Sequence, residues 1–350
     1  MSEIALYRKY RPSGWAEVIG QDHVVSVLEG AIKMGNVAHA YLFSGTRGTG
    51  KTSVARIFAG AIGTTLNDLY EIDAASSRGI DEIRELREGV RSLPFESRYK
   101  VYIIDEVHML TKEAFNALLK TLEEPPAHVI FVLATTELHK LPDTIVSRCQ
   151  TFTFKKPTVE MLQKLVVKVA KKEGFTINEG SANLIALLGD GSFRDVLGIL
   201  QKVMSISADK KVSEEEIEAI TGAPSKKLVF EFIETLLSKN LNRALAIINQ
   251  TAEEGKDIKF FLKMVLTELR LAMLLHFAPE LKKDIEEEVG TDELEKIMAL
   301  NQLVEADHLP AVLKELICVY EELGKTYLTQ LPLELAVVKI AKSLGSEAPK

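Results

Sequence analysis

The residues Gly45-Thr46-Arg47-Gly48-Thr49-Gly50-Lys51-Thr52 fit the pattern G-x-x-x-x-G-K-[ST]. Their chemistry suits a chain of phosphates. Glycines let successive backbone N–H groups turn toward one point and cradle phosphate oxygens. A helix opening at Ser53 adds its positive end. Lys51 would reach the β- and γ-phosphates of a nucleotide, and Thr52 would hold Mg²⁺ through its hydroxyl. About fifty residues on, Asp105-Glu106 close the apolar run 101–104. Asp105 would hold Mg²⁺, directly or through water, and Glu106 would polarise an attacking water as general base. Two acids after an apolar run are a weak signal alone. Behind such a loop both carboxylates can face the γ-phosphate, and the signal becomes specific.

The elements that position these residues follow from local pattern. Residues 40–43, 68–73, 101–104, 129–133 and 150–154 read as strands. The first, third and fourth are continuous apolar runs, as expected of strands buried on both faces. Residues 53–62, 80–90 and 112–124 read as helices between them, the last stopped by Pro125-Pro126. An earlier helix has Val24, Val25, Leu28 and Ile32 on one face, with Asp22 as its cap. Pro12 and Gly14 stop any helix in the opening segment, whose aromatic, basic and apolar residues could cover a base or pack on the domain. Thr135 and Thr136 end the fourth strand. A hydroxyl there could bond a γ-phosphate or the attacking water, and a plain β-branched strand end is an equal reading. The start of helix 80–90, beside Ser77 and Arg78, could take a phosphate or be a routine helix cap.

Strand and helix alternation over residues 1–156 implies an α/β fold with a mostly parallel five-stranded sheet wrapped by helices. From Pro157 onward only helical periodicity is visible. Helices 159–172, 181–189, 192–207 and 213–222 make a small unit, and longer helices such as 226–238, 241–254 and 258–277 fill residues 223–345. Residues 346–350 read as a frayed tail.

The chain has 350 residues, 46% hydrophobic and 27% charged, which is ordinary for a soluble globular protein. No apolar stretch approaches the ~18 residues of a membrane span, and the N-terminus lacks a signal-peptide core, so a cytoplasmic location without membrane contact is expected. Cys149 and Cys318 offer no disulfide framework and no Cys-x-x-Cys metal site. The net charge of −7 is uneven. Residues 1–156 carry 19 basic and 19 acidic side chains, 157–222 carry 8 and 10, and 223–350 carry 16 and 21. Bulk charge should therefore not grip nucleic acid.

Several segments together resemble the gamma/tau clamp-loader ATPases of bacterial DNA polymerase III, within the AAA+ family. They are Tyr7-Arg-Lys-Tyr-Arg-Pro12, Val18-Ile-Gly-Gln21, His39-Ala-Tyr-Leu-Phe43, the glycine loop and Glu71-Ile-Asp-Ala-Ala-Ser76. Asp105-Glu-Val-His108, Thr121-Leu-Glu-Glu-Pro-Pro126, Leu133-Ala-Thr-Thr136, Ser147-Arg-Cys149 and Gly191-Ser-Phe-Arg-Asp195 complete the set. The resemblance implies an AAA+ nucleotide-binding domain, a helical lid at 157–222 and a helical collar at 223–345. It implies ATP and Mg²⁺ as cofactors, with Tyr7, Arg11, Val18 and Ile19 around the adenine side. By the same token Thr136, or else Thr135, would be the first sensor, and Arg194 the lid arginine reaching the γ-phosphate. Arg148 would be an arginine finger acting on a neighbour's ATP. Ser77 and Arg78 lie where family members approach DNA.

The implied role is loading a sliding clamp onto primer-template DNA within a ring of clamp-loader subunits, copies of this chain among them. One departure stands out. The family's four-cysteine zinc module is replaced by the short crossing 61–68, so zinc is not expected. No helicase or polymerase contact is assigned to a chain of this length. Two rivals are an AAA+ motor of another kind, such as a branch-migration helicase or a replication-factor-C-like relative, and a non-hydrolysing scaffold subunit.

Overall fold

The computed structural model describes residues 4–76, 86, 88–303 and 308–344. Ser77, Arg78, most of the expected helix 80–90 and the tail 346–350 lie outside the described residues. Five parallel strands form one sheet: β1 (Ala40–Ser44), β2 (Leu69–Asp73), β3 (Lys100–Asp105), β4 (Val129–Thr135) and β5 (Gln150–Thr153), in the order β2-β3-β4-β1-β5.

Side-chain alternation divides the core into two layers. Leu42, Ile104 and Leu133 face one side, with Leu118 and Leu122 of the helix Lys112–Glu123 packed on them. Phe43, Ile103 and Val132 face the other, covered by Val54 and Phe58 of the helix Lys51–Ala61 and by Val24 and Leu28 of the helix Asp22–Lys33. Both faces are covered, which is why β1 and β4 are buried along their whole length. Register then matters for chemistry. Ser44 pairs with Thr135, and Ile104 with Leu133, so the carboxyl ends of β1, β3 and β4 lie side by side. Ligands of open parallel sheets sit at that edge.

Some local expectations change. Asp22 is the first helical residue and not the cap. Gln21 precedes it, and its buried amide is used elsewhere, donating to Lys155 O at 2.8 Å and accepting from Lys155 N at 3.0 Å. This pins the opening arm beside the end of β5. Before Pro12 there is a short helix, Leu6–Lys9, and after Gly14 a single 3₁₀ turn, Trp15–Glu17.

The chain folds as two compact units, one made of Met1–Leu162 with Gly189–Gly198 and the other of Gln163–Leu188 with Ile199–Lys350. The second unit holds the helices Glu179–Leu188, Glu214–Thr221, Lys226–Leu237, Leu241–Glu253, Ile258–Phe277, Leu309–Glu322 and Leu331–Ser343. It also holds a parallel pair of two-residue strands, Thr176–Ile177 and Lys211–Val212, where only helices were expected. Two residues are too short to register a period. Helix Glu214–Thr221 carries a capping box between Ser213 and Glu216 and ends on Gly222 at φ 68°. Among the described residues, no helix is long and apolar enough to cross a membrane.

Candidate nucleotide site

The loop 45–52 joins β1 to the helix Lys51–Ala61. Its glycines are required by space as well as by φ. A Cβ on Gly45 (φ 151°) would stand 2.7 Å from Phe154 O, and one on Gly48 (φ 75°) would overlap Ser192 Oγ. The Gly48 carbonyl accepts from Phe193 N at 3.0 Å, so the segment carrying Arg194 is seated on the loop. Thr49 is buried and donates to Thr46 O at 2.9 Å. Thr46 and Arg47 are exposed, and Gly50 and Ser53 are half-buried. Lys51 is 5% exposed and donates to Gly45 O at 2.8 Å and Thr46 O at 2.9 Å. Burial lowers its pKa, the carboxylates of Glu106 and Asp105 raise it, and Arg194 lowers it further.

The acids meet this loop from β3. Thr52 Oγ1 donates to Asp105 Oδ2 at 2.6 Å. A hydroxyl and a carboxylate oxygen side by side suit Mg²⁺, a hard cation that takes one or two protein oxygens with phosphate and water as the rest. Glu106 stands in the left-handed region at φ 48°, unusual for a residue with a Cβ. Its Oε2 accepts from Thr136 Oγ1 at 2.9 Å. Of the two threonines ending β4, Thr136 touches Glu106, whereas the fully buried Thr135 turns to His108, with Oγ1 3.0 Å from Nδ1.

Arg194 lies over the ring of Tyr7, its guanidinium carbon 5.7 Å from the centroid. Arg11 has its pKa lowered first by burial and then by Arg56, with Glu71 opposing and Arg194 adding. Arg194 thus opposes the charge of both Lys51 and Arg11, an opposition that an anionic ligand would relieve. Val18 packs on the core layer beneath, next to Trp15, and Ile19 is half-buried. Arg148 has other partners, with Nη2 donating to Glu123 Oε1 at 2.7 Å and Nη1 to Thr144 O at 2.8 Å. The structure therefore brings together Lys51, Thr52, Asp105, Glu106 and Thr136, with Arg194, Tyr7 and Arg11 adjoining.

Three residues escaped the sequence reading. His108 and Glu137 flank the Glu106–Thr136 pair, and Glu123 holds Arg148. His108 stood in plain view in Asp105-Glu-Val-His108, but nothing in its spacing says which way the ring turns.

Two family models match the chain. One described as DNA polymerase III, delta subunit, covers residues 64–158, and one described as DNA polymerase III subunits gamma and tau domain III covers residues 212–350. The Bacillus subtilis DNA polymerase III subunit tau is 40% identical over 369 aligned residues, covering 99% of this chain and 65% of that protein. The chain belongs to the DNA polymerase III gamma/tau family. The Escherichia coli subunit tau is 38% identical over 300 residues, covering 80% of this chain and 46% of that protein. This family member spans between about half and two thirds of the length of the curated relatives it matches. Among solved structures, the Thermotoga maritima RuvB Holliday junction branch migration motor matches with a TM-score of 0.53 at 22% identity, over 71% of this chain and 86% of that one. That likeness establishes the AAA+ fold, which the resemblance implied.

Proposed function

We propose that this gamma/tau family chain binds and hydrolyses ATP as a clamp-loader subunit, loading a sliding clamp onto primed DNA within a ring of subunits. The observation that carries the reading is the convergence of Lys51, the Thr52–Asp105 pair and the Thr136–Glu106 pair at one sheet edge. The loop N–H groups and Lys51 bind the phosphates. Thr52 and Asp105 would hold Mg²⁺, which would supply positive charge to neutralise the phosphates. Glu106 orients the attacking water and accepts its proton, and Thr136 holds the Glu106 carboxylate in place. Arg194 adds charge from the lid side, with Tyr7, Arg11, Val18 and Ile19 near the base. Residues 1–156 serve as the AAA+ domain, 157–222 as the lid and 223–345 as the collar, a division supported by the domain III match over 212–350.

The remaining cation, Arg148, is read as a finger for the ATP of a neighbouring subunit. Its hydrogen bonds to Glu123 and Thr144, none of them shared with Lys51, Asp105 or Glu106, and its place on a turn support that reading. The chain alone is then a weak ATPase. An arginine finger is worth ~10³–10⁵ in rate. In the reconstituted loader with clamp and primed DNA, Arg148→Ala should lower ATP turnover by ~10³-fold or more while each subunit still binds nucleotide. Unchanged turnover would remove the finger assignment.

A further inference from the structure

His108 is the one side chain of the Asp105-Glu-Val-His108 motif that the hydrolysis scheme leaves unused apart from the apolar Val107. It sits on the 3₁₀ turn Val107–Met109 directly after Glu106, and its side chain is 6% exposed. Its Nδ1 lies 3.0 Å from Thr135 Oγ1 and 3.5 Å from Glu106 Oε2. Its Nε2 lies 3.1 Å from Glu137 Oε2. Thr135 Oγ1 also accepts from Glu137 N at 3.0 Å. A ring proton on Nε2 accounts for the contacts with Glu137 and Thr135, while the 3.5 Å approach of Nδ1 to Glu106 Oε2 is a close packing contact and not a hydrogen bond. A carboxylate has no proton to give, so Nε2–H donates to Glu137. The Thr135 hydroxyl accepts from Glu137 N–H and donates to Nδ1.

The ring therefore ties two strand ends together. One is the turn after β3, which holds Glu106 at φ 48°, a conformation that persists only where its surroundings enforce it. The other is the end of β4, where Thr136 reaches the same Glu106 oxygen that faces Nδ1. Lys140 closes the outer side, its Nζ 2.7 Å from Glu137 Oε2.

We propose that His108 is a positioning residue for Glu106. Clamped between Thr135 and Glu137, it sets the turn that aims the carboxylate, so that Glu106 and Thr136 move as one unit. This rests on the reading of Glu106 as the base.

The test is steady-state and nucleotide-binding kinetics of the reconstituted loader with clamp and primed DNA. His108→Ala should lower kcat about 10–100-fold, the scale of a small misplacement of a reacting group, and leave affinity for a non-hydrolysable ATP analogue within about twofold. His108→Asn, which keeps an acceptor near the Nδ1 position, should recover part of the loss. Glu137→Ala, at a half-exposed site where folding is safe, should lower kcat in the same direction. In a Glu106→Gln background the loss from His108→Ala should vanish, because residues acting as a unit are not additive. A wild-type rate in His108→Ala and Glu137→Ala, with Glu106→Gln inactive, would overturn the proposal alone. So would an equal loss of analogue binding in His108→Ala and His108→Asn. A Glu106→Gln loader that still hydrolyses ATP would overturn the reading of Glu106 and this proposal with it.

Discussion

Asp68 is fully buried, and its carboxylate accepts backbone N–H groups from Phe95, Glu96 and Ser97 at 2.6, 3.0 and 2.8 Å. Burial by itself would raise its pKa. The N–H groups of Glu96, Phe95 and Ser97 outweigh that and hold it at about 2, below the ordinary 3.8. The folded protein therefore favours the charged form. The stabilisation is complete above about pH 4 and fades as pH falls toward 2. Asp68→Ala should lower the unfolding free energy near neutral pH by roughly 2–4 kcal/mol, because it strands donors that a charge had satisfied. Denaturant unfolding of both proteins from pH 7 to pH 2 checks this, and the gap between them should narrow at the acid end. The residue matters to the site because the segment it holds leads directly into β3, which ends on Asp105.

At the scale of elements, the glycine loop is a joint between two segments far apart in sequence. Gly48 abuts Ser192 and accepts from Phe193 through its carbonyl, so the loop and the start of the helix Phe193–Met204 share one packing contact. Gly48→Ala should be costly on two counts. Its φ of 75° disfavours any Cβ, and the added methyl would overlap the Ser192 hydroxyl. Nucleotide affinity should fall at least tenfold, measured by fluorescence titration with a labelled ATP analogue, since the loop N–H groups no longer converge. Adding Ser192→Gly should recover only part of that loss, because it removes the overlap and leaves the backbone strain. A full recovery would show that φ contributes nothing here.

For the molecule as a whole, the role proposed for Arg148 would make function a property of pairs of chains. Lys51 and Arg148 have separate partners, the first on the loop and the second on Glu123. If Arg148 serves a neighbour, Lys51→Ala and Arg148→Ala loaders should each be inactive. Loaders assembled from an equal mixture should regain turnover, because some junctions then pair an intact loop with an intact finger. ATP hydrolysis with clamp and primed DNA reads this directly. No recovery on mixing would mean that both residues must come from one chain. The charge distribution fits the same scale. Residues 1–156 are balanced and 223–350 are acidic, so any hold on DNA must come from placed residues in an assembly.

Local signals carried much of this through the sequence alone. The apolar runs of β1, β3 and β4 announced a parallel sheet because strands buried on both faces need apolar residues at every position. The glycine loop was legible because its four fixed positions each answer a backbone or phosphate requirement within eight residues. Family motifs then supplied candidate roles for Arg148 and Arg194, which spacing could not. What only the tertiary structure decided is who touches whom at the sheet edge. Spacing could not say whether the threonines at the end of β4 do more than end a strand, and only the family resemblance favoured Thr136 over Thr135; strand register puts Thr135 against His108 and Thr136 against Glu106. The strain at Glu106, the fit of Gly48 against Ser192 and the hold of Glu123 on Arg148 were likewise invisible. Each arises where segments tens of residues apart are brought to contact by packing, and no period or composition along the chain encodes that distance.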